Sequence, residues 1–84
     1  MTTDVLHTIQ ASTPDLSKGQ KRIAAYILSD YDKAAFMTAS KLGKLVGVSE
    51  STVVRFASQL GYDGYPAMQR ALQEIVRSKL TSIQ

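Results

Sequence analysis

Cysteine is absent from this 84-residue chain, so neither a disulfide framework nor a cysteine zinc site can hold it together. That absence fits a reducing compartment, and a cytoplasmic, nucleoid-associated location is the expectation. Histidine occurs once, at His7, with no cysteine and no second histidine to join it in binding a metal. A surface position on a first helix suits it better. No apolar run approaches the roughly 18 residues that a membrane span requires, and no membrane role is expected. The opening residues, MTTDVLHTIQ, carry neither a basic leader nor a long apolar stretch, so they do not read as a signal peptide. No glycine-rich phosphate loop is present, and the serines and carboxylates cannot be joined to a base and an orienting group in catalytic roles. An enzyme is therefore not expected, nor a cofactor. No segment alternates as a strand would, and no internal repeat or low-complexity tract appears.

What is present suits one small helical domain. The hydrophobic share is 44%, which is globular rather than disordered. The chain is too short for a second core. The net charge of +3 is modest, but it is unevenly placed. Between residues 33 and 60, Lys33, Lys41, Lys44 and Arg55 face only Glu50, while basic and acidic residues balance elsewhere. The excess therefore falls on one stretch, as a phosphate-binding surface requires.

That stretch, Thr38 to Gly61, is the organising element. A first short helix is expected over Ala39 to Val46, capped by Thr38, with Leu42, Leu45 and Val46 on one face. Gly47-Val48 breaks it, since glycine accepts a positive φ without a clashing Cβ. Ser49 caps a second helix, Glu50 sits at its positive end, and the helix runs to about Leu60 with Gly61 as its stop. Leu42, Val46, Val48, Val53 and Phe56 are apolar at the spacing that locks two short helices at a steep angle, and Gly43 is small where they cross. This is the helix-turn-helix pattern, whose second helix enters the DNA major groove. Ser49, Glu50, Ser51, Thr52, Arg55, Ser58 and Gln59 form the polar reading face, and Lys41 and Lys44 are placed to meet phosphates. Arg55 suits a bidentate contact to guanine. Glu50 suits the helix dipole first and a cytosine amine second. The competing reading is a helical protein–protein interaction or dimerisation module without specific DNA readout, and a large exposed apolar patch would favour it.

The flanks supply three further helices. Val5, Leu6 and Ile9 predict one from about Asp4 to Ala11, with Thr2 or Thr3 as its cap. Ser12-Thr13-Pro14-Asp15 reads as a loop. Ser17 and Gln20 form a capping-box pair opening a helix to about Asp30, with Ile23, Ala24, Ile27, Leu28 and Tyr31 as its buried stripe. Lys18, Lys21 and Arg22 oppose the dipole in its first turns, and they read as solvated before phosphate-bound. Tyr31 to Met37 is a connector with room for a short helical turn, and its Ala35, Phe36 and Met37 are expected to fill core. Asp63-Gly64 is a turn, and Pro66 starts a last helix to about Leu80, with Met68, Leu72, Ile75, Val76 and Leu80 inward. Tyr62 and Tyr65 are read as packing beside the reading helix in preference to touching phosphate. A helix follows the motif where a winged form needs a hairpin. The expected fold is therefore all-α: a five-helix, homeodomain-like bundle with no wing.

Residues Leu16 to Leu72 resemble the N-terminal domain of RpiR-type transcriptional regulators, which respond to sugar phosphates. The core helix IAAYIL, the turn and reading helix GVSESTVVRF and the segment LGYDGY carry the resemblance. It implies a bacterial repressor or activator of sugar or amino-sugar metabolism that binds double-stranded DNA, at a palindromic operator, as a homodimer. It also implies a sugar-isomerase-type domain that binds a phosphorylated sugar effector. Such a domain does not fit in this chain, which is expected to be the DNA-binding fragment of a longer regulator. Gly19 and Gly43 depart from the pattern, since both stand where better helix formers are common.

Overall fold

A computed structural model describes residues 5–82. In chain order its elements are α1 (Val5–Ser12), a 3-10 turn (Thr13–Asp15), α2 (Lys18–Ala34), α3 (Ala39–Val46), α4 (Glu50–Gln59) and α5 (Tyr65–Ser82). No strand occurs among the described residues, so the fold is all-α and wingless, as the sequence implies. No described helix is long and apolar enough to cross a membrane. Thr2, Thr3 and Asp4, expected at the start of the first helix, lie outside the described residues, as does the side chain of Leu80.

Val5 and Ile9 of α1 are fully buried, and Leu6 packs at the edge of the same core. Of the Ser-Thr-Pro-Asp stretch expected as a loop, Ser12 ends α1 and Thr13–Asp15 tighten into a single 3-10 turn, with the Thr13 hydroxyl donating to the Ile9 carbonyl at 2.7 Å. The capping box at α2 forms in both directions. Gln20 N–H donates to Ser17 Oγ at 3.3 Å, and Ser17 N–H donates to Gln20 Oε1 at 3.1 Å. Ile23, Ala24 and Ile27 then enter the core, with Leu28 and Tyr31 at its margin.

The connector after Asp30 takes the short helical turn that the sequence allows it and departs from expectation at Phe36. Asp30 leaves helical geometry (φ −133°, ψ 47°), yet the chain resumes helix to Ala34. Beyond the break Ala34 and Ala35 are both fully buried, while Phe36, expected in the core, is 68% exposed. The small alanines occupy the space against the bundle, and the next residue is turned away from it.

Helix α5 holds this connector in place. Tyr65, Gln69 and Gln73 lie four residues apart and so share one face. The Tyr65 hydroxyl donates to the Met37 carbonyl at 2.6 Å, Gln69 Nε2 to the same oxygen at 3.0 Å, and Gln73 Nε2 to the Ala35 carbonyl at 2.9 Å. The carbonyls of the α2 C-cap Ala35 and of Met37 in the connector thereby gain side-chain donors. Along the adjoining face of α5, Met68 and Leu72 are fully buried, and Ile75 and Val76 pack against the core. The helix starts at Tyr65, one residue before Pro66, whose missing N–H still falls among the unpaired donors of the first turn.

Tyr65 is therefore a packing residue, as the sequence reading favoured. Burial pushes its phenol up to about 12, from 10.0. From pH 10 upward the unfolded chain releases a proton that the folded chain keeps, so this contribution to stability is lost as pH rises towards 12. Tyr65→Phe is expected to cost about 1 kcal/mol at neutral pH, one net hydrogen bond, and to flatten the alkaline loss. Urea unfolding of both chains at pH 7 and above pH 10 checks this; equal alkaline slopes would show that the phenol titrates as a free one.

Candidate nucleic-acid interface

Each helix of the motif starts on the cap that the sequence places there. Thr38 Oγ1 accepts from Lys41 N–H at 3.1 Å, and Ser49 Oγ accepts from Thr52 N–H at 3.2 Å. Between them Gly47 takes the left-handed conformation, with φ 82°. This turns the chain so that the N–H groups of Gly47 and Val48 both donate to the Gly43 carbonyl, at 2.9 and 2.8 Å. A helix end closed in this way has little freedom, and it fixes where α4 begins.

The crossing depends on Gly43. A Cβ there would stand 2.8 Å from the Val48 carbonyl oxygen and 3.3 Å from Ser49 backbone atoms. The glycine that looked like a weakness within α3 is the point at which the turn passes closest over it. Ala39, Leu42, Gly43 and Val46, at spacings of three and four, form the inward stripe of α3. Leu45, expected among them, is 54% exposed, because it sits a third of a turn off that stripe. From α4, Val53, Phe56 and Ala57 are fully buried.

Helix α2 positions the motif from behind. A Cβ on Gly19 would meet Val48 Cγ1 at 3.2 Å and Thr52 Cγ2 at 3.8 Å, so this glycine too marks a close approach rather than a defect. Gln20, buried, donates through Nε2 to Gln59 Oε1 at 3.1 Å, which ties the α2 cap to the far end of α4. Arg22 extends beside the turn: a Cβ on Gly47 would stand 3.8 Å from its Nη1.

The outward side of α4 carries a shallow groove of about 690 Å³, lined by Ser49, Glu50, Ser51, Val54, Arg55 and Ser58. Five of the seven expected reading residues are thus brought together. Thr52 and Gln59 are not part of the lining. Thr52 is half-buried and its hydroxyl lies 2.9 Å from Ser49 Oγ, while Gln59 is exposed with its oxygen occupied by Gln20. Ser49 Oγ also lies 3.1 Å from Ser51 Oγ, so the first turn of the groove is a small hydroxyl network. Lys41 and Lys44 are exposed on α3. Neither they nor Arg22 and Arg55 pair with a carboxylate among the described residues. The arrangement offers hydrogen-bond donors and one guanidinium in a groove, flanked by uncompensated cations. That combination suits an anionic, edge-presenting polymer. Sequence reasoning missed Val54, because a valine beside the buried Val53 gives no separate signal.

The chain matches the model of the helix-turn-helix domain of the rpiR family over residues 3–79. Over 64 residues it is 41% identical to the uncharacterised HTH-type transcriptional regulator YfhH of Escherichia coli strain K12, covering 76% of this chain and 23% of that protein. It is 31% identical over 75 residues to the HTH-type transcriptional regulator HexR of Pseudomonas aeruginosa, covering 89% of this chain and 26% of that one. The chain spans about a quarter of the length of these curated relatives. The solved structure of the Vibrio vulnificus NanR protein complexed with ManNAc-6P superposes with a TM-score of 0.84 at 28% identity, covering 95% of this chain and 31% of that one.

Proposed function

This chain belongs to the rpiR family of helix-turn-helix domains and is the DNA-binding domain of a transcriptional regulator rather than an enzyme, and from that premise we propose that it recognises a palindromic operator as a homodimer, with α4 in the major groove. The observation that carries this reading is the polar groove on α4, bordered by cations that no carboxylate among the described residues neutralises. Arg55 makes a bidentate contact to a guanine, and Ser51 and Ser58 hydrogen-bond to base edges or phosphate. Ser49 and Thr52 serve the helix start first, and their hydroxyls meet the backbone at the groove rim. Glu50 supports the dipole of α4, and Gln59 keeps its amide nitrogen for the duplex. Lys41, Lys44 and Arg22 meet phosphates and set the register.

Two heads are needed for half-sites roughly 34 Å apart. The pairing face is assigned to α1 and α5, where exposed Phe36 lies beside Gln73, Val76 and Arg77. Within a longer cytoplasmic regulator, a further domain of the sugar-isomerase type binds a phosphorylated sugar and controls sugar or amino-sugar metabolism. The likeness to NanR, solved with ManNAc-6P, supports that class of effector.

Selection from a pool of random duplexes across a salt series tests the proposal. A palindrome is expected to be enriched, with the logarithm of affinity falling linearly in the logarithm of salt. Three phosphate-neutralising side chains per head give a slope of about −3 per head. Retention without enrichment would contradict specific readout, and no retention at low salt would leave the domain as a protein-interaction module.

A further inference from the structure

Val54 is the one large apolar side chain lining the α4 groove. Glu50 and Ser51 lie one turn before it, Ser58 one turn after and Arg55 beside it, so it sits in the middle of a polar face. It is 39% exposed, whereas its neighbour Val53 and nearby Phe56 are fully buried and carry the packing of α4. Leu45 and Phe36, the other exposed large apolar side chains among the described residues, lie outside this groove. A β-branched residue is also a weaker helix former than the alanine or polar residues that would serve a solvated position. The fold therefore gives Val54 no packing role that accounts for its place.

Seen from the major groove, only one of the four bases presents an apolar group, the C5-methyl of thymine. We propose that Val54 is a specificity-determining residue that selects a thymine in each half-site by packing its methyl groups against that C5-methyl. This rests on α4 lying in the major groove, and it deepens that reading: Arg55 and the hydroxyls select by hydrogen bonding, and Val54 adds an apolar position beside them. Burying one methyl group corresponds to about a fourfold change in affinity.

The test uses the duplex recovered by selection, with its thymines replaced one at a time by deoxyuridine, which removes the C5-methyl and nothing else. One thymine per half-site is expected at which the natural chain loses about fourfold in affinity. Val54→Ser should bind the thymine duplex more weakly by a similar factor and become indifferent to uridine at that position, while keeping its dependence on the guanine read by Arg55. Should the natural chain select its duplex yet ignore every methyl removal, or Val54→Ser retain the discrimination, the inference is overturned alone. A chain that prefers no duplex over random DNA overturns the placement of α4 together with the inference.

Discussion

Gly43→Val is expected to lower the melting temperature by about 12–24 °C, corresponding to about 3 kcal/mol in a domain of this size. The first added carbon already falls 2.8 Å from the Val48 carbonyl oxygen, which is backbone and cannot swing aside. Valine adds two more methyl groups in the narrowest part of the crossing. Relief requires α3 and the turn to separate, which lengthens the bonds from Gly47 and Val48 N–H to the Gly43 carbonyl. It also moves the start of α4, so DNA binding should suffer even where the chain still folds. Gly43→Ala should fall between the two: up to about 1 kcal/mol of helix propensity offsets part, but not all, of the cost of the contact with the Val48 carbonyl. Thermal unfolding of the three chains by circular dichroism reads the series. A Gly43→Val protein melting within a few degrees of the parent would show that the approach of turn to helix is looser than described.

Arg55→Ala is expected to weaken binding to the selected duplex by about 5- to 160-fold per head, the range of one bidentate guanine contact. Binding to random duplexes should change far less, because those complexes rest on phosphate charge. Folding should be untouched, since Arg55 is exposed and pairs with no carboxylate among the described residues. Titrations on both duplexes, with a melting curve as control, separate these effects. Equal affinities of the two proteins for the selected duplex would remove Arg55 from base recognition.

The parts of this fold that were legible in the sequence are those governed by local rules. The caps at Ser17, Thr38 and Ser49 each depend on a hydroxyl three residues before the N–H it accepts from. The turn at Gly47 depends on one residue's φ. The inward positions Leu42, Val53 and Phe56 follow from helical period. What was not legible depends on contacts between distant segments. Phe36 looks like a core residue in any window of its neighbours, and only the room taken by Ala34 and Ala35 turns it outward. Leu45 differs from Leu42 by three positions, a spacing that fits an inward stripe as a pair. The stripe of α3 is fixed instead by what α4 and the turn bring to Gly43. Gly19 and Gly43 read as weak points when each helix is considered alone, and they become the sites of closest approach once Val48 is in place. The link from Gln20 to Gln59 spans 39 positions, and no local pattern announces it.

The candidate site divides in the same way. Polarity and helical position picked out Ser49, Glu50, Ser51, Arg55 and Ser58, and the fold gathers these in one groove. Thr52 and Gln59 have equal polarity in the sequence, but their hydrogen bonds within the domain draw them to its margin. Arg22 gains its place beside the turn only because α2 packs against the start of α4.

Whether the α4 groove is the surface that meets DNA can be read by following each backbone amide by nuclear magnetic resonance as the selected duplex is added. The largest shifts are expected between residues 47 and 59, with smaller ones near Arg22, Lys41 and Lys44, and little change on α1 or the outer side of α5. Shifts concentrated on α1, α5 and the neighbourhood of Phe36, with residues 47 to 59 unmoved, would contradict the placement of DNA on α4.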